Sequence, residues 1–259
     1  MTQTLQVEQD GAILIVRINR PEKRNSLTVE MLDRLKSIVS SANVDDSVRA
    51  IIITGVGDCF SSGVDLTTMR DIGTSAEFMY YMDKWREVNE SLESSSKPII
   101  AAIEGYCLTG GFELALACDI RVGARGSQYG ITSSKIGTVP GAGGTQRLPR
   151  IVGVSNALDM LFSSDFIDAE RAREMGLLNR LVDKGQSFAA AKELAVHYAT
   201  RAPLSLRYAK RAVYAGMQMP MSDAIKFEAA VVTLIYQSED RVEGVSAFIE
   251  KRTPNFKGR

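Results

Sequence analysis

A strand, a turn and a helix follow one another in the segment GYCLTGGFEL, residues 105–114. The preceding residues, PIIAAI at 98–103, are apolar, which predicts a buried parallel strand. Gly110 and Gly111 then open a predicted helix, and glycines at a helix start let a ligand approach the backbone closely. The first N–H groups of a helix lack internal partners, and the helix dipole adds positive charge there. The segment therefore predicts a site for a developing oxyanion.

Glu113 lies in the first turn of this predicted helix. A carboxylate beside an oxyanion site is placed to act as a general base. The alternative is structural, because the dipole alone also favours a glutamate at a helix N-terminus. From this segment by itself both interpretations remain open.

Strands and helices alternate on both sides of this segment, which indicates an α/β domain with parallel connections. The predicted strands are 12–18, 50–54, 98–103 and 119–124. Helices are predicted at 28–41, 77–94 and 112–117, with an irregular loop at 58–76. Beyond residue 154 strands nearly vanish, and helical spacing occurs at 155–163, 169–176, 186–201, 203–216, 222–238 and 240–251. We therefore predict an α/β core over 1–184 and a helical C-terminal part over 185–259.

Composition argues against several classes of protein. Lys+Arg and Asp+Glu each total 31, which argues against a nucleic-acid binder but not against a local basic pocket for phosphates. The apolar run at 12–16 is too short for a signal sequence or a membrane span, so no membrane partner is expected. Three cysteines without CxxC spacing predict neither disulfides nor a metal site. A cytoplasmic protein is expected, with a matrix enzyme that has lost its transit peptide as the alternative.

Two further segments have unusual composition. Residues 59–66, CFSSGVDL, follow a predicted strand, and taken alone they fit an ordinary turn. Residues 136–148, IGTVPGAGGTQRL, hold four glycines and one proline within nine positions. This loop resembles an anion-binding loop, but it does not match the phosphate-loop or dinucleotide-binding patterns. Arg147 is expected to tie the loop down.

Together and in this order, the three segments resemble the enoyl-CoA hydratase/isomerase (crotonase) family. The resemblance runs from NRPEKRNSL at 19–27 to FIEKRTPNF at 248–256. It implies a spiral of repeated ββα units that forms two roughly perpendicular sheets, followed by helices that pack on neighbouring subunits. Residues 185–259 would then form an oligomerisation region, and the implied assembly is a homotrimer or homohexamer. One fold hosts many chemistries, so the resemblance specifies the reaction less well.

The resemblance also implies roles for particular residues. In the family, two backbone N–H groups bind the thioester oxygen and stabilise the enolate, and the matching positions are Val64 and Gly110. Glu113 matches an acid/base glutamate. Positions that match CoA-binding residues, the last two sometimes in a neighbouring subunit, are Arg24, Ser26, Leu27, Ser62, Gly63, Asp65, Leu66, Phe248 and Lys251. An acyl-CoA is the expected partner, and no cofactor is expected because CoA is part of the substrate.

The second glutamate of the hydratases is missing from its matching position, where this chain has Ser133. Some relatives carry an aspartate at the position of Gly141, so Glu113 is the one remaining candidate acid/base. We expect hydration of an enoyl-CoA first, because it is the commonest activity in the family and Glu113 is retained. Decarboxylation, isomerisation, racemisation or retro-aldol cleavage remain alternatives. A non-catalytic acyl-CoA-binding homologue is a further alternative.

Several other side chains have two interpretations. Met79, Tyr80, Tyr81, Met82 and Trp85 either line an acyl pocket or belong to the core. Lys135 lies near Ser133 in sequence and is an open candidate for replacing the missing acid. The one histidine, His197, is expected to have a surface or packing role, which argues against a Ser–His–Asp hydrolase.

Overall fold

The computed structural model describes residues 3–259 of the chain. Its strands are β1 Leu5–Asp10, β2 Ile13–Ile18, β3 Ala50–Gly55, β4 Cys59–Ser61, β5 Ile99–Ile103, β6 Tyr106–Leu108, β7 Ile120–Ala124, β8 Gln128–Gly130, β9 Ile167–Asp168 and β10 Arg180–Val182. Its helices are α1 Val29–Val44, α2 Leu66–Asp71, α3 Ser75–Glu93, α4 Thr109–Ala117, α5 Gly144–Val152, α6 Val154–Ser163, α7 Ala169–Glu174, α8 Ser187–Ala199, α9 Pro203–Gly216, α10 Met221–Ile235 and α11 Glu239–Glu250. Two 3-10 turns add Pro21–Lys23 and Ser133–Ile136. The predicted α/β class with a helical C-terminal part is confirmed.

The larger sheet has the order β1-β2-β3-β5-β7-β10 and is parallel except for the β1–β2 pair. The central strands β3 and β5 are apolar along almost their whole length because both faces of the sheet are covered. Helix α8 covers one face, where Ala191 and Leu194 pack in a cluster with Ile13 and Ile52. Helices α1 and α3 contribute to the main core on the other face.

The smaller sheet has the order β4-β6-β8-β9 and positions the candidate site. Strands β4 and β6 are parallel neighbours, and so are β6 and β8. Parallel neighbours end at the same edge of a sheet. The segments that follow β4 and β6, around Val64 and Gly110, are therefore brought side by side.

The prediction of an irregular loop at 58–76 was wrong in part. This stretch contains β4 and α2, which have three and six residues and are too short to show a clear periodicity. Helix α3 begins at Ser75, where Thr74 and Glu77 form a capping box. Helix α4 begins at Thr109, three residues before the predicted start. The other boundaries differ from prediction by no more than three residues.

The C-terminal helices leave much apolar surface uncovered. Met221, Leu234, Phe248 and Ile249 are each more than 60% exposed. Within residues 3–259, no helix combines the length and the apolar character needed to cross a bilayer.

Candidate active site

A cavity of about 450 Å³ lies where the segments after β4 and β6 meet the glycine-rich loop, residues 136–148. Its walls come from the N-terminal 3-10 turn, helices α2 to α4 and the turn after β8. The sequence-predicted site residues that line it are Arg24, Ser26, Ser62, Val64, Asp65, Leu66, Glu113 and Ser133. Residues far apart in sequence therefore share one cavity.

The two candidate oxyanion segments touch directly. Gly63 has φ of +94°, and a Cβ at this position would lie 2.7 Å from the amide nitrogen of Gly110. Leu27 donates its N–H to the carbonyl of Gly63 at 2.8 Å and accepts the N–H of Asp65 at 3.3 Å. Because N–H groups alternate along an extended chain, the N–H of Val64 points away from Leu27. The N–H of Gly110 is among the first four of α4, which lack intrahelical acceptors.

Glu113 is buried, with 3% of its surface exposed. Its Oε1 accepts the backbone N–H groups of Ala142 at 2.9 Å and Gly144 at 2.7 Å. Burial raises the pKa of this carboxyl to about 7, although the two amides and the charge of Arg147 act in the opposite direction. Both protonation states are therefore accessible near neutral pH, as an acid/base group requires.

Helix α3 holds the glycine-rich loop against Glu113. The carbonyl of Ala142 accepts bonds from Asn89 Nδ2 at 2.7 Å and from Arg147 Nη1 at 3.1 Å. Arg147 also forms a bidentate ion pair with Glu93, in which Nε donates to Oε1 at 2.6 Å and Nη2 donates to Oε2 at 2.8 Å. Arg147 thus ties the loop down, as the sequence predicted. Sequence reasoning missed Asn89 and Glu93, and their only signal was i, i+4 spacing on one helix.

Ser133 is buried and lines the same cavity as Glu113. Lys135 does not line the cavity, because its Nζ lies 3.3 Å from Asp165 Oδ1 at the surface. Gly141 also lines the cavity, and a side chain there would collide with the Sδ of Met82. The local packing thus leaves no room for an additional carboxylate at Gly141 unless Met82 moves.

Arg24 and Lys23 place two cationic side chains on the cavity wall. Asp65 is bound by Arg20 Nη2 at 3.1 Å and caps α2 by accepting the N–H of Thr67 at 3.1 Å. Arg20 also donates to the carbonyl and hydroxyl of Ser26, at 2.8 and 3.2 Å. Sequence reasoning missed Arg20, which links two of the predicted substrate-binding residues.

Four predicted substrate-binding residues do not line the cavity: Leu27, Gly63, Phe248 and Lys251. Leu27 is fully buried in the core and contributes through its backbone bonds to Gly63 and Asp65. Phe248 is 86% exposed, and Lys251 caps the end of α11. Neither of these two side chains lines the cavity of its own chain.

The apolar side chains of the segment 79–85 divide into two groups. Tyr81, Met82 and Trp85 line the cavity. Met79 and Tyr80 are 67% and 59% exposed and do not line it. The acyl-pocket interpretation therefore stays a prediction for Tyr81, Met82 and Trp85, and the first and last of these also belong to the main core.

The fold and the cavity define a class that matches known proteins. A sequence profile of the enoyl-CoA hydratase/isomerase family matches residues 8–259, and the chain belongs to this family. It is 36% identical over 251 residues to a crotonyl-CoA hydratase of Syntrophomonas wolfei, which covers 96% of both chains. It is also 36% identical to a 2,3-dehydroadipyl-CoA hydratase of Escherichia coli, over 98% of both chains. The crystal structure of an enoyl-CoA hydratase from Bacillus anthracis superposes with a TM-score of 0.95 at 34% identity, covering 99% of this chain and 100% of the other.

Proposed function

We propose that this protein hydrates a 2-enoyl-CoA, with Glu113 as the acid/base and the N–H groups of Val64 and Gly110 as the oxyanion hole. The observation that carries the proposal is the cavity that Val64 and Glu113 line together, where the buried Glu113 carboxyl has a pKa of about 7 and Gly63, next to Val64, lies against the amide nitrogen of Gly110. Relatives named as hydratases, at 36% identity over nearly the whole chain, favour the same reaction. The arginine and lysine on the cavity wall suit the phosphates of CoA.

The proposed reaction balances with a single carboxyl group. Glu113 takes a proton from a water molecule while the water oxygen forms a bond to C3 of the enoyl group. The electron pair of the C2=C3 bond moves toward the thioester oxygen, where the amides of Val64 and Gly110 stabilise the enolate. Protonated Glu113 then returns its proton to C2, which regenerates the carboxylate. This chemistry requires no cofactor.

Ser133 is the proposed replacement for the second glutamate of the family's hydratases. A serine hydroxyl does not ionise near neutral pH, but it donates and accepts hydrogen bonds and would hold the water molecule. The other carboxyl on the cavity wall of the described chain, Asp65, is already bound to Arg20 and the N–H of Thr67. A second candidate function follows from this arrangement: isomerisation or decarboxylation of an acyl-CoA, which needs one carboxylate or none.

A substrate panel tests the proposal. Wild-type protein and Glu113→Gln are assayed for crotonyl-CoA hydration, 3-enoyl-CoA isomerisation and methylmalonyl-CoA decarboxylation. We expect wild-type hydration, and a loss of about 10²–10⁴ in kcat/KM in Glu113→Gln. Equal hydration by the variant would refute Glu113 as the base. Turnover confined to the isomerisation or decarboxylation assay would support the second function, and CoA-ester binding without any turnover would indicate a non-catalytic homologue.

Ser133→Glu tests the positional assignment separately. If Ser133 occupies the second acid/base position, a glutamate there should raise the hydration rate. Ser134→Glu is the matched control, because Ser134 is the next residue and does not line this cavity. An equal response of both variants would contradict the assignment.

We further propose a homotrimeric or homohexameric assembly in the cytoplasm. The exposed apolar side chains of the C-terminal helices, including Phe248 and Ile249, support association between copies. The three cysteines, which are buried and unpaired, are consistent with a reducing compartment.

A further inference from the structure

A second cavity, of about 730 Å³, adjoins the candidate active site. The two cavities have three lining residues in common: Met82 of α3, and Gly141 and Ala142 of the glycine-rich loop. Of these three residues, Met82 alone has a long side chain. A change of this one side chain would therefore alter the boundary between the two cavities.

The side chain of Met82 lies directly over Gly141. A Cβ at Gly141 would collide with the Sδ of Met82 and would lie 3.7 Å from its Cε. Tyr81 and Trp85, on the same helix, are buried, whereas Met82 is half-buried. The thioether and the loop are thus in contact, and no further carbon atom fits between them at this point.

Met82 also lies close to the proposed reacting groups. Glu113 Oε1 accepts the N–H of Ala142 at 2.9 Å, and Ala142 directly follows Gly141. The amide of Gly110, which would bind the thioester oxygen, lies three residues before Glu113 on α4. An acyl group bound at this amide, with its C2 and C3 beside Glu113, would bring its later carbon atoms to the boundary at Met82.

The lining of the second cavity suits an alkyl chain. Apolar side chains on its wall come from α4, α5 and the end of α9: Leu116, Ile151, Val213 and Met217. Its charged side chains already have partners within residues 3–259: Asp83 pairs with Arg86, Glu93 with Arg147, Asp119 with Lys210, Arg121 with backbone carbonyls and Arg150 with Gln146. Methylene groups would leave water and gain apolar contacts there.

We propose that Met82 sets the acyl-chain length that the protein accepts, because it closes the candidate active site toward the second cavity. The inference rests on the proposed function, and it names a short-chain 2-enoyl-CoA as the substrate class. In Met82→Ala the side chain loses its γ, δ and ε atoms, and the two cavities would join at that point. A longer alkyl chain would then extend past Gly141 into the second cavity.

The test measures kcat/KM for trans-2-enoyl-CoA esters with four, six and eight acyl carbons. In the wild type we expect the eight-carbon value to lie at least about tenfold below the four-carbon value, because the longer chain would overpack the site against Met82. Met82→Ala should raise the ratio of the eight-carbon to the four-carbon value at least about tenfold, since each methylene group that leaves water contributes about fourfold. The ratio is compared because Met82 lines the proposed site, so the absolute rates are expected to change as well.

Three further variants make the test specific. Met82→Val, which keeps part of the side chain, should raise the ratio by less, and it is the second variant if Met82→Ala does not fold. Met79→Ala is the matched control and should leave the ratio unchanged, because Met79 lies on the same helix, is 67% exposed and lines neither cavity. The double variant Met82→Ala/Val213→Trp fills the second cavity from α9, where Val213 is 63% exposed, and should remove the gain.

Binding measurements separate this inference from the proposed function. Calorimetric titration with butyryl-CoA and octanoyl-CoA needs no turnover. If Met82→Ala improves the binding of octanoyl-CoA relative to butyryl-CoA while no ester is hydrated, the role of Met82 stands and the hydratase is refuted. Hydration with equal wild-type kcat/KM for all three esters would overturn the role of Met82 alone. An unchanged ratio in both Met82 variants, an equal change in Met79→Ala, or a gain that persists in the double variant would overturn it too.

Discussion

At the scale of single residues, burial changes the ionisation of Glu113. A water-exposed glutamate would be fully ionised at pH 7, whereas burial brings the pKa of this group to about 7. The N–H groups of Ala142 and Gly144 fix one carboxyl oxygen. The second carboxyl oxygen carries no such bond among the described residues, and it is the atom available to exchange a proton with substrate or water.

The raised pKa of Glu113 predicts a stability cost at high pH. Glu113 has a pKa near 4.5 in the unfolded chain and about 7 in the folded chain, so between these values only the folded chain keeps the proton. The protonated carboxyl therefore stabilises the fold fully below pH 4.5, and this stabilisation is lost as the pH rises through 7. Glu113→Gln removes the effect and keeps an oxygen that accepts both amides. Urea unfolding at equal protein concentration should therefore show the variant gaining up to roughly 3 kcal/mol relative to wild type between pH 4 and pH 8. If the difference in unfolding free energy between Glu113→Gln and wild type did not change with pH, the raised pKa of Glu113 would be contradicted.

Gly63 predicts a second effect at this scale. An alanine there would require φ near +94° and would bring its Cβ within 2.7 Å of both Gly110 N and Leu108 O. The two amides of the oxyanion hole would be pushed apart, so we expect Gly63→Ala to lower kcat by at least about 10²-fold. Gly57→Ala is the control, because Gly57 has a φ of +82° but no atom near its Cβ position. The control should lose some stability to backbone strain and keep its activity; an equal loss of activity in both variants would contradict the proposed contact.

At the scale of elements, α3 supports both Glu113 and one wall of the cavity. Its capping box fixes the start of the helix at Ser75. Tyr81 and Trp85 lie on the cavity wall, and the next turns carry Asn89 and Glu93, which hold the glycine-rich loop and Arg147. One helix therefore connects the cavity wall to the hydrogen bonds that hold Glu113.

The ion pair between α3 and α5 predicts a shift in the pH profile. The charge of Arg147 lowers the pKa of Glu113, so Arg147→Met should raise that pKa and move the rising limb of kcat/KM to higher pH. The loss of kcat/KM in Arg147→Met relative to wild type should be largest near pH 7 and smaller near pH 9. Arg150→Met is the control, since this exposed arginine of α5 has Gln146 as its one hydrogen-bond partner within residues 3–259. A merely structural role for Arg147 would lower the rate without moving the midpoint of the profile.

At the scale of the whole molecule, the site depends on the two sheets and on the glycine-rich loop together. The parallel pairing of β4 with β6 brings Gly63 against the amide nitrogen of Gly110, while α3 and α5 hold the loop that contacts Glu113. The C-terminal helices α9 to α11 leave an apolar surface on the same chain, and Phe248 and Lys251 do not line its cavity. Association between copies would cover this surface.

The proposed assembly can be measured. Light scattering during size-exclusion chromatography should give three or six times the mass of one chain. Phe248→Asp should lower that mass, because a charge would enter the apolar contact. Val44→Asp is the control, since Val44 is 85% exposed but lies at the end of α1. A monomeric wild type, or an equal response of both variants, would contradict the proposed interface.

The sequence by itself determined the α/β class, the helical C-terminal part and the segments that carry Val64, Gly110 and Glu113, because periodicity and glycine positions are local properties. It did not determine that β4 and α2 lie within 58–76, since elements of three and six residues have no clear period. Only the tertiary structure decided that Asn89 and Arg147 bind the same carbonyl, at Ala142. It also decided that Tyr81 and Trp85 line the cavity while Tyr80 faces solvent. These relations join elements distant in sequence, and the packing of helices onto sheets sets them, which no local pattern encodes.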